Sequence, residues 1–141
     1  MKKISMIIVT MPGTWQKILQ NNIASHPSVE VVGIVHGGIS AIKMAKEHAP
    51  DLLLIDASIP IQEATALIEN IRLGNTGTQC LVLADTHRQR RMAARAGAQY
   101  TLSSFNYSTE IGQIFADLRA DSASAASTSR DDSRETILDG E

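Results

Sequence analysis

Apolar residues along this chain follow two alternating rhythms. Continuous runs of strand length fall at residues 4–10, 29–36, 52–55, 80–84 and 99–103. Between them the apolar positions recur every three or four residues. Continuous runs bounded by turn residues predict strands buried on both faces of a parallel sheet. Trp15, Ile18, Leu19 and Ile23 stand at i, i+3, i+4 and i+8, the spacing of one helix face. The same spacing predicts helices over about 40–48, with Ala41, Met44 and Ala45 inward, and over about 62–73, with Leu67, Ile68 and Ile71 inward. A short fourth helix over about 87–96 and a fifth through Ile111, Ile114, Phe115 and Leu118 complete the pattern. Pro12-Gly13, Gly37-Gly38, Gly74 with Gly77 and Ala96-Gly97-Ala98 punctuate the joins. Five strand–helix alternations predict an α/β, (βα)5 doubly wound architecture: five parallel strands with helices on both faces.

The third strand carries the chemistry. Pro50-Asp51-Leu52-Leu53-Leu54-Ile55-Asp56-Ala57-Ser58-Ile59-Pro60 is an apolar run that ends on a carboxylate and then a proline. Asp56 is therefore placed at a strand's carboxyl end, where open α/β sheets put their functional groups. Thr14 before the first helix, Asp85 before the fourth and Asn106 or Ser108 before the fifth are expected as helix caps.

Composition narrows the classes. A chain of 141 residues makes one domain with a real core. No segment approaches the roughly 18 apolar residues of a membrane span, so no membrane role is expected. Met1-Lys2-Lys3 and the short run after it lack a small-residue cleavage site and make a first strand rather than a leader. One cysteine, Cys80, excludes an internal disulfide and fits a cytoplasmic location; inside an apolar strand it is expected buried and inert. Residues 1–120 carry 11 Lys/Arg and 9 Asp/Glu, a net of +2, whereas 121–141 carry 2 and 6, a net of −4. The second segment holds five serines and only Ile137 and Leu138 as large apolar residues. It is expected as a Ser/Asp-rich linker or disordered tail after a domain at 1–120, because it cannot bury enough surface to offset its ordering entropy. The four histidines form no catalytic or metal-binding motif, so no catalytic residue and no metal site is assigned.

Several local patterns resemble the receiver domains of response regulators. Val29-Glu30-Val31-Val32-Gly33 resembles their second strand, and Gly38 with Ala41 the entry to their second helix. Pro50-Asp51, the leucine run and Asp56-x-x-x-Pro60 resemble their phospho-acceptor strand, and Ala96-Gly97-Ala98 the step before strand five. The resemblance covers about residues 1–120. It implies a flavodoxin-like sheet in the order 2-1-3-4-5, a place in two-component phosphorelay signalling, and Asp56 at the phospho-acceptor position. It also implies that the pocket is degenerate. Where receivers carry two acidic residues after strand one, this chain has Thr10 and Met11; the hydroxyl residue ending strand four is Ala84, followed by Asp85; the lysine ending strand five is Ser104; and the glycine four after the proline is Ala64. A methionine sulfur is a poor ligand for a hard cation that prefers carboxylate oxygen, so Mg²⁺ binding is expected to be weak or absent, with no other cofactor. Mg²⁺ is then expected to leave Trp15, placed one turn from the pocket, undisturbed.

This favours a pseudo-receiver: an atypical, non-enzymatic protein–protein interaction module largely independent of Asp56 phosphorylation. Arg88, Arg91 and Arg95 lie at i, i+3 and i+7 on the fourth helix, with Arg90 nearby and Tyr100 on the next strand. By the resemblance, the face of helix four, strand five and helix five serves a protein partner or a homodimer, and an output domain follows the tail. Four arginines without interleaved aromatics are a thin footprint for nucleic acid. Two alternatives stand beside this reading. One is a phosphorylatable receiver using Asp56 with non-standard metal ligands. The other is a flavin or nucleotide binder, since Thr10-Met11-Pro12-Gly13-Thr14-Trp15 loosely resembles the hydroxyl-rich phosphate loop of flavodoxins.

Overall fold

The computed structural model describes residues 2–74 and 77–128. Five strands alternate with five helices: β1 (Ile4–Val9), α1 (Thr14–Ala24), β2 (Val29–Val35), α2 (Gly38–His48), β3 (Leu52–Ile55), α3 (Ile61–Gly74), β4 (Gln79–Ala84), α4 (His87–Ala96), β5 (Tyr100–Ser103) and α5 (Tyr107–Thr128). The strands pair in parallel in the order β2-β1-β3-β4-β5, the (βα)5 doubly wound sheet expected. β3 lies at its centre with all four residues buried.

Period-two alternation along each strand feeds two separate cores. Ile7, Val9, Leu53, Ile55, Cys80 and Val82 face α2, α3 and α4, meeting Ala41, Ala45, Leu67, Ile68, Ala93 and Ala96. Met6, Ile8, Leu52, Leu54, Leu81 and Leu83 face α1 and α5, meeting Leu19, Ile23, Ile111 and Phe115. Cys80 is buried as expected, and burial pushes its thiol up to about 12 from 9.0. Met44 from α2 lies directly over Gly33 on β2, so a Cβ there would force the methionine side chain to move.

Three local expectations are corrected. Ile18 is 45% exposed, because the buried stripe of α1 runs through Leu19 and Ile23 and Ile18 turns about 100° away from Leu19. Thr14 is not the cap of α1. Gly13 holds that position at φ 147°, ψ −172°, with no side-chain cap. Asp85 does not cap α4 either; Thr86 does, and Gln89 closes a reciprocal capping box with it. α5 runs past residue 120 to Thr128, and the remainder of the expected tail, 129–141, lies outside the described residues. Among the described residues no helix is long and apolar enough to cross a membrane.

Candidate functional site

Strand register brings the site together. Val9 pairs with Ile55, so Thr10 and Asp56 leave neighbouring strands side by side, and the Asp56 N–H still donates to the Val9 carbonyl at 2.9 Å. Both residues continue the alternation of Met6, Ile8, Leu52 and Leu54, which turns their side chains to the α1–α5 side of the sheet. There Asp56 is 2% exposed. A buried carboxylate is costly unless hydrogen-bonded, and this one has three donors among the described residues. Trp15 Nε1–H donates to Oδ1 at 2.7 Å; Thr10 Oγ1–H donates to Oδ2 at 3.1 Å; the Ser58 N–H donates to Oδ2 at 3.2 Å, closing an Asx turn. All three donors are uncharged.

A directed chain of bonds supports that carboxylate. Met11 N–H donates to Ser58 Oγ at 3.0 Å, and Ser58 Oγ lies 3.3 Å from Thr10 Oγ1. With the Thr10 proton committed to Asp56, the Ser58 hydroxyl donates to Thr10, so every proton in the chain points towards the anion and the bonds polarise one another. His36 Nδ1 lies 2.8 Å from the Thr10 carbonyl, which can only accept, so that nitrogen carries the proton. On the other side of the indole, Tyr107 at the start of α5 meets Trp15 edge-on, with centroids 6.1 Å apart at 86°. The Tyr107 hydroxyl accepts from Asn22 Nδ2 at 2.7 Å.

The residues singled out from sequence separate into groups. Thr10 and Asp56 meet directly. Met11 joins through its backbone, while its side chain is 46% exposed. Ala84 is buried at the end of β4, and its carbonyl accepts the Ser104 N–H at 2.9 Å. Asp85 and Ser104 form a second cluster, the Ser104 hydroxyl donating to Asp85 Oδ1, and no described hydrogen bond links it to Asp56. Arg88, Arg91 and Arg95 are exposed on α4, and Arg90 is half-buried with Nη2 donating to the Thr101 carbonyl at 3.3 Å. Tyr100 packs against the α1–α5 core, the opposite side of the sheet from α4. Trp15 and Ser58 were not assigned to the site from sequence. Alternation along β1 and β3 aims Thr10 and Asp56 at the α1 side, and Asp56-x-Ser58 has the spacing of an Asx turn; both clues were present in the chain.

No family model matches the chain. Among curated proteins it is similar to the protein-glutamate methylesterase/protein-glutamine glutaminase of Desulfotalea psychrophila, 26% identical over 72 residues, covering 51% of this chain and 20% of that protein. It is also 26% identical over 132 residues to the protein of the same name from Thiobacillus denitrificans, covering 91% of this chain and 37% of that protein. The chain thus spans well under half the length of these relatives. Among solved structures it resembles the signal receiver domain of the response regulator NarL from Mycobacterium tuberculosis, with a TM-score of 0.74 and 23% identity over 83% of this chain and 96% of that one. The response regulator domain of Thermotoga maritima CheB matches at a TM-score of 0.64 and 20% identity, over 90% of this chain and 98% of that one. The isolated REC domain of Salmonella enterica RcsB matches at 0.72 and 15% over 84% and 90%. The fold is that of the receiver domains of two-component response regulators.

Proposed function

We propose that this chain is a regulatory interaction module of two-component signalling that works without phosphorylation of Asp56. The observation that carries this reading is the carboxylate itself, which is buried and already hydrogen-bonded at both oxygens. Phosphoryl transfer relies on positioning and on neutralising charge at the phosphoryl oxygens. The described hydrogen bonds to the Asp56 carboxylate come from an indole, a hydroxyl and a backbone amide, none of which neutralises a charge of about −2. An attacking Oδ1 must first give up the Trp15 bond, a bond to a charged group worth about 1.5–3 kcal/mol. Each absent electrostatic donor costs roughly a further 10²–10³ in rate.

Mg²⁺ does not fit this donor set. It needs several hard oxygens about its octahedron. Here Thr10 Oγ1 donates to Asp56, the Met11 thioether is soft, and no cluster of three His, Cys, Asp or Glu groups occurs among the described residues. The flavin alternative loses support for a related reason, since the hydroxyl that would hold a phosphate is turned to Asp56.

In place of chemistry, the module would act by contact. The exposed arginines of α4 suit an acidic protein surface, and an output domain after the tail is the natural recipient of the signal. Hydrolytic activity is not part of the proposal, because the relatives named for it are matched over 20% and 37% of their length. Intact-mass analysis after incubation with Mg²⁺ and a small-molecule phosphodonor tests the reading, with Asp56→Asn as control. The expected result is no phosphoryl adduct and no Mg²⁺-dependent change in Trp15 emission. An adduct that Asp56→Asn lacks would overturn it.

A further inference from the structure

We propose that Trp15 is the positioning residue of this pocket: its indole stands where a counter-cation or an incoming phosphoryl group would approach Asp56 Oδ1, and it gates access to that carboxylate. The inference deepens the reading of Asp56 as an unphosphorylated site by naming what keeps it closed. Four features of the chain build the gate.

The first is the approach of α1. Gly13 precedes the helix at φ 147°, a conformation that side chains rarely adopt, and nothing lies within 4 Å of where its Cβ would be. Glycine is held there by backbone conformation rather than by crowding, and it lets α1 start four residues after Thr10. The second is direction. Helical side chains lean towards the helix N-terminus, so a residue in the first turn of α1 leans back over the strand ends. Trp15 is second in that helix, and its Nε1 reaches Asp56 Oδ1 at 2.7 Å. The third is bracing. Tyr107 meets the indole edge-on while its own hydroxyl is held by Asn22, so α1 and α5 together fix the ring. The fourth is the closure of the other oxygen, where Thr10 and Ser58 both donate to Oδ2.

Asp56 therefore opens only when the indole leaves, and the indole leaves only by parting from Tyr107. The first turn of α5 is tied to the state of the pocket through one ring. The indole N–H supplies directed polarity without a formal charge, so the gate needs no metal to stay shut.

Two measurements on the full chain test this. The single tryptophan gives one indole N–H resonance. In the wild type it is expected downfield and protected from solvent exchange; in Asp56→Ala it is expected to move towards the free-indole position and lose protection. A purely packing role for Trp15 would leave that resonance where it was. Labelling of carboxylates by a water-soluble carbodiimide with an amine, mapped by mass, reads the gate directly. Asp56 is expected to resist labelling in the wild type and to react at least about tenfold faster in Trp15→Phe, which keeps a ring against Tyr107 but drops the N–H donor. Should Trp15→Phe fail to fold, the Asp56→Ala resonance alone decides. An indole resonance indifferent to Asp56, or labelling equal in wild type and a folded Trp15→Phe, would overturn the proposal. A phosphoryl adduct on the wild type would instead sink the phosphorylation-independent reading, and the gate would survive if labelling still followed Trp15.

Discussion

Asp56 and Cys80 are both buried in the same sheet, and their surroundings treat them in opposite ways. Asp56 is given hydrogen-bond donors at each oxygen. Cys80 is buried in the apolar core beneath α2, α3 and α4, and desolvation keeps its thiol protonated until a pH of about 12 rather than 9.0. The consequence for stability has a definite sign. Below pH 9.0 the thiol is protonated folded or unfolded and contributes no slope. Between 9.0 and about 12 only the unfolded form releases its proton, so stability falls as pH rises through that window. Denaturant titrations of wild type and Cys80→Ala across that range are expected to diverge, the wild type losing up to about 4 kcal/mol relative to the variant. A constant difference would refute burial as the cause. The inert thiol was legible from an apolar strand context. The role of Trp15 was not, because helical spacing identified its buried stripe without showing what lay beyond the helix's first turn.

At the scale of elements, α4 separates shape from surface. Only Ala93 and Ala96 are fully buried, so the helix is held by small contacts and by its cap. Thr86 Oγ1 accepts the Gln89 N–H at 3.1 Å while Gln89 Oε1 accepts the Thr86 N–H at 3.2 Å, a pairing worth about 1 kcal/mol. That box explains why the cap fell on Thr86 rather than Asp85: both are good caps, but only Thr86 has a glutamine three residues on. The helix bounds were readable from the chain, and the cap would have been with that spacing in view. Charge reversal at Arg91 and Arg95, both exposed, is expected to leave stability within about 0.5 kcal/mol. The same variant should bind a polyglutamate probe at least about tenfold more weakly at low salt, a difference that added salt erases. Equal binding by variant and wild type, read by fluorescence anisotropy, would reduce the ridge to a solvated face. Tyr100 lies outside this test, since its ring belongs to the other side of the sheet.

The whole molecule was the most legible scale. Alternating strand-length runs and helical stripes are consequences of burying one sheet between two helical layers, and each layer left its own trace: Ala41 and Ala45 on one side, Ile111 and Phe115 on the other. Strand order came through the resemblance rather than through any apolar pattern, because parallel crossovers of similar length look alike in a linear chain. The site was legible in its centre, Asp56 and Thr10, and illegible at its rim. Rim contacts such as Trp15 with Tyr107 join residues far apart in sequence, and they exist only after the sheet has brought the loops together.

The central position of β3 also fixes the order in which the protein can come apart. Its amides are shared with β1 and β4, and Leu52–Ile55 are sealed on both faces. β5, by contrast, is a four-residue edge strand with three half-buried residues. In deuterated water, the β5 amides are expected to exchange through local opening, while those of Leu53 and Leu54 wait for the entire fold to open. The exchange free energy at β3 should then match the unfolding free energy from denaturant. A markedly lower value at Leu53 would mean that the sheet divides before it unfolds. The strand that presents Asp56 is thus expected to be the last part of the chain to let go, so any earlier opening of the pocket falls to the groups around the carboxylate and not to the strand beneath it.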